Sequence, residues 1–327
     1  MVETDMPFSR RQFLASAALA ALASMAPAVQ AATDKPITIV VGSPAGGTTD
    51  ALARLIARSM GETLRRSVVV DNKPGAGGNI AAQYVARSTP DGTTLLMSFT
   101  GHTINASLYK NLPFDAVKDF TPISMVARVP SVLVARKNAP FNNTAGLIDY
   151  AKRNPGKLSF AIGAQGSSLH LASEQFKLQT GTDILNIPYK GTNPALTDLL
   201  AGTVDLMFAS TVNVLPHAKS GALKILGVSS KQPLAQFQGV PTIGSTVKGF
   251  ESSAWFGLFG PAKLPQATTD QLYRAVKLAV EDPAYQQRME TEAASAVSMT
   301  PQAFAQFVRG DIQHWAKVIQ ASGTRVE

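Results

Sequence analysis

Five loops in this chain carry residue types that suit anion binding. The first is Gly42-Ser43-Pro44-Ala45-Gly46-Gly47-Thr48-Thr49-Asp50, between an apolar run and an amphipathic segment. Gly46 and Gly47 let the backbone approach a ligand closely. Thr48, Thr49 or Asp50 can cap the helix that follows. A helix amino end offers unpaired N–H groups and partial positive charge, which suits a carboxylate. A plain glycine-rich turn with an N-cap explains the same residues. The second loop, Pro74-Gly75-Ala76-Gly77-Gly78-Asn79, fails as a dinucleotide fingerprint because Ile80 stands where the third glycine is needed. It reads better as a tight turn into a helix. The third is Phe99-Thr100-Gly101-His102-Thr103-Ile104-Asn105, and the fourth is Ala164-Gln165-Gly166-Ser167-Ser168-Leu169-His170. The fifth is Pro188-Tyr189-Lys190-Gly191-Thr192.

Catalytic signatures are missing. There is no G-x-S-x-G elbow, no G-x-x-x-x-G-K-[ST] and no H-E-x-x-H. The four histidines, His102, His170, His217 and His314, have no metal-ligand spacing among themselves or with acids. The chain has no cysteine, which excludes thiol nucleophiles, disulfides and thiolate metal sites. The expectation is a binding protein, not an enzyme, with no metal and no cofactor. The rival is a hydrolase built from distant loops, with Ser168 and His170 as its reacting pair.

These loops must be positioned by the apolar runs that precede them. Candidate strands are residues 37–41, 67–71, 94–98, 132–135, 158–162, 184–187, 204–208, 225–228 and 256–259. Several are continuous aliphatic runs, as strands buried on both faces require. Helical stripes lie between them. Leu52, Leu55, Ile56 and Met60 share a face, and Phe304, Phe307, Val308, Ile312, Trp315, Val318 and Ile319 form a long stripe behind Thr300 and Pro301. Such stripes are core. Strand–helix alternation predicts an α/β fold with parallel sheets covered on both faces. In open α/β sheets, ligands bind at the carboxyl ends of strands, where several of these loops sit.

The amino terminus reads as an export signal. Arg10 and Arg11, followed by Gln12-Phe13-Leu14, precede an Ala-rich apolar stretch too short to span a bilayer, which needs about 20 residues. The pattern resembles a twin-arginine signal, or an ordinary secretory signal with two incidental arginines. Val29-Gln30-Ala31 fits a cleavage site, so residues 1–31 are expected to be removed and the mature chain to reside in the periplasm. The net charge of +8 favours anionic ligands or surfaces. Basic residues are scattered and no nucleic-acid motif occurs, so nucleic acid is not the expected partner.

Read together, these pieces resemble one family. They are Lys35-Pro36-Ile37; Gly46-Gly47-x-x-Asp50; Val70-x-Asn72-x-Pro74-Gly75-Ala76-Gly77-Gly78-Asn79; Pro90-Asp91-Gly92; Leu112-Pro113-Phe114-Asp115; Gly166-Ser167-Ser168-x-His170; Pro188-Tyr189-Lys190-Gly191; and Val204-Asp205-Leu206-Met207-Phe208. Their order and spacing resemble the receptors of tripartite tricarboxylate transporters, the Bug family of periplasmic solute-binding proteins.

The resemblance implies a type II-like periplasmic-binding-protein fold. It has two α/β domains, a ligand cleft between them and two crossing segments. Domain 1 would take residues 32–130 and 255–327, and domain 2 residues 131–254. A ligand carboxylate would be held by Pro44, Ala45, Gly46, Gly47, Thr48, Thr49 and Asp50, and by Phe99, Thr100, His102 and Thr103. Domain 2 would close with Gln165, Gly166, Ser167, Ser168, His170, Tyr189, Lys190, Gly191, Ala209 and Ser210. For Asp50 the reading leans to fixing the loop; His170 either lines the cleft or braces its helix. A monomer delivering a small carboxylate to a membrane permease is implied, with presentation to a membrane sensor as the alternative. Ala209 stands where many relatives carry aspartate. That motivates the hypothesis of a ligand without an ammonium group, a dicarboxylate or an aromatic acid, with Phe99 and Tyr189 available to stack on a ring.

Overall fold

The computed structural model describes residues 35–326. The export signal expected over residues 1–31 lies outside them. The chain opens with β1 (Ile37–Val41), α1 (Thr48–Leu64), β2 (Val68–Asn72), α2 (Asn79–Ala86), β3 (Thr94–Phe99) and α3 (Gly101–Leu108). A long strand, β4 (Phe120–Arg136), leads to α4 (Thr144–Arg153), β5 (Ser159–Ile162), α5 (Ser168–Thr180) and β6 (Leu185–Pro188). Then come α6 (Thr192–Ala201), β7 (Leu206–Ser210), α7 (Thr211–Lys219) and β8 (Leu223–Val228). The chain returns through β9 (Ser253–Pro261), α8 (Gln266–Glu281), α9 (Pro283–Thr291), β10 (Ser295–Ala296) and α10 (Pro301–Ser322).

The strands form a mixed sheet in two halves that share β4. The first half runs β2-β1-β3-β9-β4 and the second β4-β7-β5-β6, with β8 and β10 also paired to β4. Pairs among β1, β2 and β3, and among β5, β6 and β7, are parallel, whereas β9, β7 and β8 run antiparallel to β4. Period-two alternation puts a core on each face. Ile39, Val41 and Met97 pack against Ile56, Met60 and Val276, while Val40 and Leu96 meet Ala82, Val85, Phe304 and Val308. The second half repeats the arrangement. Leu133, Phe160 and Phe208 meet Phe176, and Val134, Met207 and Ala209 meet Leu199 and Val214. A smaller cluster of Ile104, Leu108, Leu171, Trp315, Val318 and Ile319 joins the halves through α10.

The sequence pattern predicts only residues 132–135 of β4, but the strand is 17 residues long. Pro122 and Pro130 argue against a central strand, because proline donates no ladder hydrogen bond. The sheet absorbs them. Register shifts occur between Pro122 and Ser124 and again between Met125 and Ala127, and Pro130 sits opposite Ser253 at the end of the β9 ladder. At the next residue, Ser131, β4 changes partners to β7.

That change of partner is where the halves are tied. Ser229 Oγ accepts from Ser131 N at 2.8 Å and from Ser131 Oγ at 3.0 Å, and it donates to Ser252 O. Ser229 N donates to Ser131 O and Ser252 N to Ser229 O. All three serines are buried. Ser229→Ala leaves a buried N–H and a buried carbonyl short of a partner. It is expected to lower stability by about 2 kcal/mol. Urea unfolding should show a reduced midpoint with an unchanged slope; an unchanged midpoint would show that the serines carry no such load.

Candidate functional site

Strand register brings the loops to one level of β4. The end of β3, Phe99, lies opposite Phe256, which in turn pairs with Ala127 of β4. The end of β7, Ser210, lies opposite Ser131. Four residues of strand separate those levels, about 13 Å. The carboxyl ends of the first-half and second-half strands therefore approach the partner change from opposite directions.

In the first loop, Asp50 is 3% exposed and organises its neighbours. Its carboxylate accepts from Gly46 N at 2.9 Å, Asn72 Nδ2 at 3.0 Å and Arg54 Nε at 3.0 Å. Asn72 also donates to Ser43 O. Bonding to Arg54, against burial and with help from Gly46 and Asn72, holds the Asp50 carboxyl at about 2. Asp50 thus fixes the loop. Gly46 has φ +85°, a conformation that favours glycine. Pro44, Ala45, Gly46 and Gly47 are exposed, Thr48 is half-buried and Thr49 is buried. Gly47 is the N-cap of α1 and supplies no side-chain cap.

The third loop corrects several sequence expectations. His102 is buried. Its Nε2 lies 2.8 Å from Ala116 O, and its ring sits 4.8 Å from the rings of both Phe120 and Phe259. Burial pushes this imidazole down to about 4, so it is neutral and faces the core, not a ligand. Thr100 Oγ1 accepts from Trp255 N at 2.9 Å, and Thr103 Oγ1 donates to Asp311 Oδ2 at 2.6 Å. Both hydroxyls are buried in these contacts. Phe99 packs over the glycines. A Cβ on Gly78 would come within 3.2 Å of its ring, and one on Gly101 within 2.7 Å. What this loop still offers is the amino end of α3, which has no side-chain cap.

In the second half, His170 braces its own loop. Its Nδ1 accepts from Gly166 N at 2.9 Å, and its Nε2 lies 3.6 Å from Glu174 Oε1. Nδ1 is thereby taken up by the loop and Nε2 lies 3.4 Å from Asn186 Nδ2 of β6, so neither ring nitrogen is hydrogen-bonded to Ser168. Ser167 Oγ accepts from His170 N and so caps α5. Ser168 is half-buried, and exposed Gln165 donates to Arg325 O. Tyr189 donates its hydroxyl to Asp198 at 2.7 Å; burial, then that carboxylate, push the phenol up to about 12. Lys190 is exposed, and Gly191 is the uncapped N-cap of α6. Ser210 is the N-cap of α7, again without a side-chain cap. Ala209 is fully buried in the core with Val132, Met207 and Val214. The missing aspartate at this position therefore says little about the ligand.

A pattern emerges in the caps. α4, α9 and α10 are capped by Asn143, Asp282 and Thr300, whereas α2 and α8 begin without a side-chain cap. Of the five helices that begin at the level of the partner change, α1, α3, α6 and α7 are uncapped, and only α5 has a cap. Asp50 is the only acid in the first turns of those five, and it is neutralised by Arg54. Unpaired donors and positive dipole ends are thus left at one place from both halves. Sequence reading reached Thr192, which opens α6, but stopped short of exposed Val212 and Asn213 in the first turn of α7. A helix start after each strand would have pointed to them.

Residues 52–324 match the tripartite tricarboxylate transporter family receptor. Among solved structures, the periplasmic binding protein BugD is 36% identical, with TM-score 0.73, covering 89% of this chain and 99% of that one. R. palustris Rpa4515, solved with adipate, is 34% identical with TM-score 0.75, covering 89% and 98%. MatC from Rhodopseudomonas palustris, solved with bound malate, is 31% identical with TM-score 0.71, covering 87% and 98%.

The Asp50 network has a testable pH signature. A carboxyl lowered from 3.8 to about 2 on folding stabilises the fold above its unfolded value and loses that effect as pH falls through the folded one. Asp50→Asn should cost about 1–2 kcal/mol at pH 7. In chemical unfolding the gap from the parent should close between about pH 4 and pH 2. A gap independent of pH would rule out this role for the charge.

Proposed function

The chain belongs to the tripartite tricarboxylate transporter receptor family, and from that premise we propose that it captures a small linear dicarboxylate. Periplasmic solute binding is the family's activity, and two domains its fold. The observation that carries the ligand class is the uncapped amino ends of α1 and α3 in one half and of α6 and α7 in the other. A single carboxylate satisfies donors on one side only. A second carboxylate, a few bonds away, would meet the donors of the other half. Exposed Lys190 beside α6 adds positive charge there. The adipate and malate found in the two R. palustris relatives are of this class. An aromatic acid has less support, because Phe99 is already packed on Gly78 and Gly101.

The domain limits we propose follow the partner change of β4. Residues up to 130 and from 255 onward form one domain, and residues 131–254 the other. Binding would proceed by hinge closure, a population shift driven by the extra donors met in the closed form. Release to a membrane permease is the family's use of that form.

Thermal unfolding of the mature chain from Ala32, stripped of carried ligand, tests this against aliphatic mono-, di- and tricarboxylates, aromatic acids and amino acids. A ligand at about a hundred times its Kd adds about 2.7 kcal/mol, enough for a shift of several degrees. The largest shift is expected with an aliphatic dicarboxylate. Gly47→Val should abolish it without unfolding the chain, since Gly47 has negative φ and the nearest atom to an added Cβ is 3.6 Å away. A shift confined to monocarboxylates, or one retained in Gly47→Val, would overturn the reading.

A further inference from the structure

Asp311 lies on α10, far in sequence from every loop described above, yet one of its oxygens holds two of the site's supports. Oδ2 accepts from Thr103 Oγ1 at 2.6 Å and from Trp255 Nε1 at 2.8 Å. Thr103 stands in the first turn of α3. Trp255 lies on β9, where its backbone N–H and C=O both bond to Thr100, the residue that opens α3. The amino end of α3 is therefore pinned on two sides by one carboxylate and one crossing strand. The same face of α10 reaches the other half. His314 Nε2 lies 3.3 Å from Gln175 Oε1 of α5, and Trp315 shares a core with Leu171.

An acid is a costly choice for this position. Burial pushes the Asp311 carboxyl above its ordinary range, while Thr103 and Trp255 pull it back. A leucine would need no such compensation, but it would leave the indole N–H without an acceptor and the buried Thr103 hydroxyl with Thr100 O alone, 2.9 Å away. The charge also lies beside the first turn of α3, where a negative group is favourable to the helix but opposes an incoming anion.

We propose that Asp311 is a positioning residue for ligand capture, holding the amino end of α3 in place through Thr103 and Trp255. Its effect on carboxylate affinity rests on the reading of α3 as part of the ligand site. Its effect on α3 itself does not. Asparagine keeps an acceptor oxygen at the same reach and removes the charge. Leucine removes both.

The full mature chain is compared as parent, Asp311→Asn, Asp311→Leu and Thr103→Val by hydrogen exchange without ligand. Residues 101–104 should exchange about tenfold faster in Asp311→Leu, with β1 and β2 unchanged, and close to the parent rate in Asp311→Asn. In a Trp315→Phe background the remaining indole, Trp255, should shift its emission in Asp311→Leu and not in Asp311→Asn. Unchanged protection in Asp311→Leu would overturn the proposal. So would equal damage from asparagine and leucine, which marks a general packing role. Titration with adipate and with malate forms the second arm. Affinity should fall about tenfold in Asp311→Leu and hold or rise in Asp311→Asn. If exchange responds as expected but the parent binds neither acid, the dicarboxylate reading fails and the positioning of α3 stands.

Discussion

The structure depends on one strand that belongs to both halves. β4 pairs with β9 as far as Pro130 and with β7 and β8 from Ser131 onward, so every loop of the site is registered against it. Ser131, Ser229 and Ser252 hold that changeover with buried hydrogen bonds between the two crossing segments. A tie of short hydroxyl side chains is compact and directional. It fixes where the segments cross with few bulky side chains at the crossing. The more extended contact between the halves is the apolar cluster along α10, which packs on both sides of the crossing.

The second constraint is electrostatic. An uncapped helix end leaves donors that water can satisfy only while the end is exposed. Natural helices commonly avoid the problem with a side-chain cap, as α4, α9 and α10 do here. Glycine at the caps of α1 and α6 leaves the donors free of a competing side chain and lets a ligand approach the backbone. α5 departs from the pattern. Ser167 caps it and His170 secures the preceding turn, so the Gly166 loop is held from within. Asp50 does the equivalent work in the first half, accepting from Gly46 N without projecting into the open face of the loop.

Much of this was legible in the sequence because strands buried on both faces leave unbroken aliphatic runs. The runs of β1, β3 and β5 placed the loops that follow them. β4 was not legible over most of its length, since Pro122 and Pro130 are accommodated only by register shifts and by the end of a ladder, which are properties of the partner strands. Gly46 was legible as a position of unusual backbone dihedral, and its φ is +85°. The directions of side chains were not. His102 and Ala209 sit in motif positions that suggest ligand contact, yet one ring is enclosed by phenylalanines and the other methyl lies on a buried sheet face. Asp311 had no local signal at all, because its partners, Thr103 and Trp255, come from other parts of the chain.

On the reading proposed above, free donors on both sides of a hinge would make closure and ligand length two aspects of one quantity. Under the proposed reading, an anion in an open form would satisfy the amino ends of α1 and α3 while those of α6 and α7 stayed in water. Closing would remove those second donors from water, which would be favourable only if the ligand supplied acceptors for them. A ligand too short to reach, or with an apolar far end, would leave buried N–H groups unpaired and so would favour the open form. Discrimination then arises from the penalty on the wrong acid, with no need for a stronger contact to the right one. A site of the proposed kind would bind several acids of similar length weakly in the open state and yet present only the matching one in the closed state.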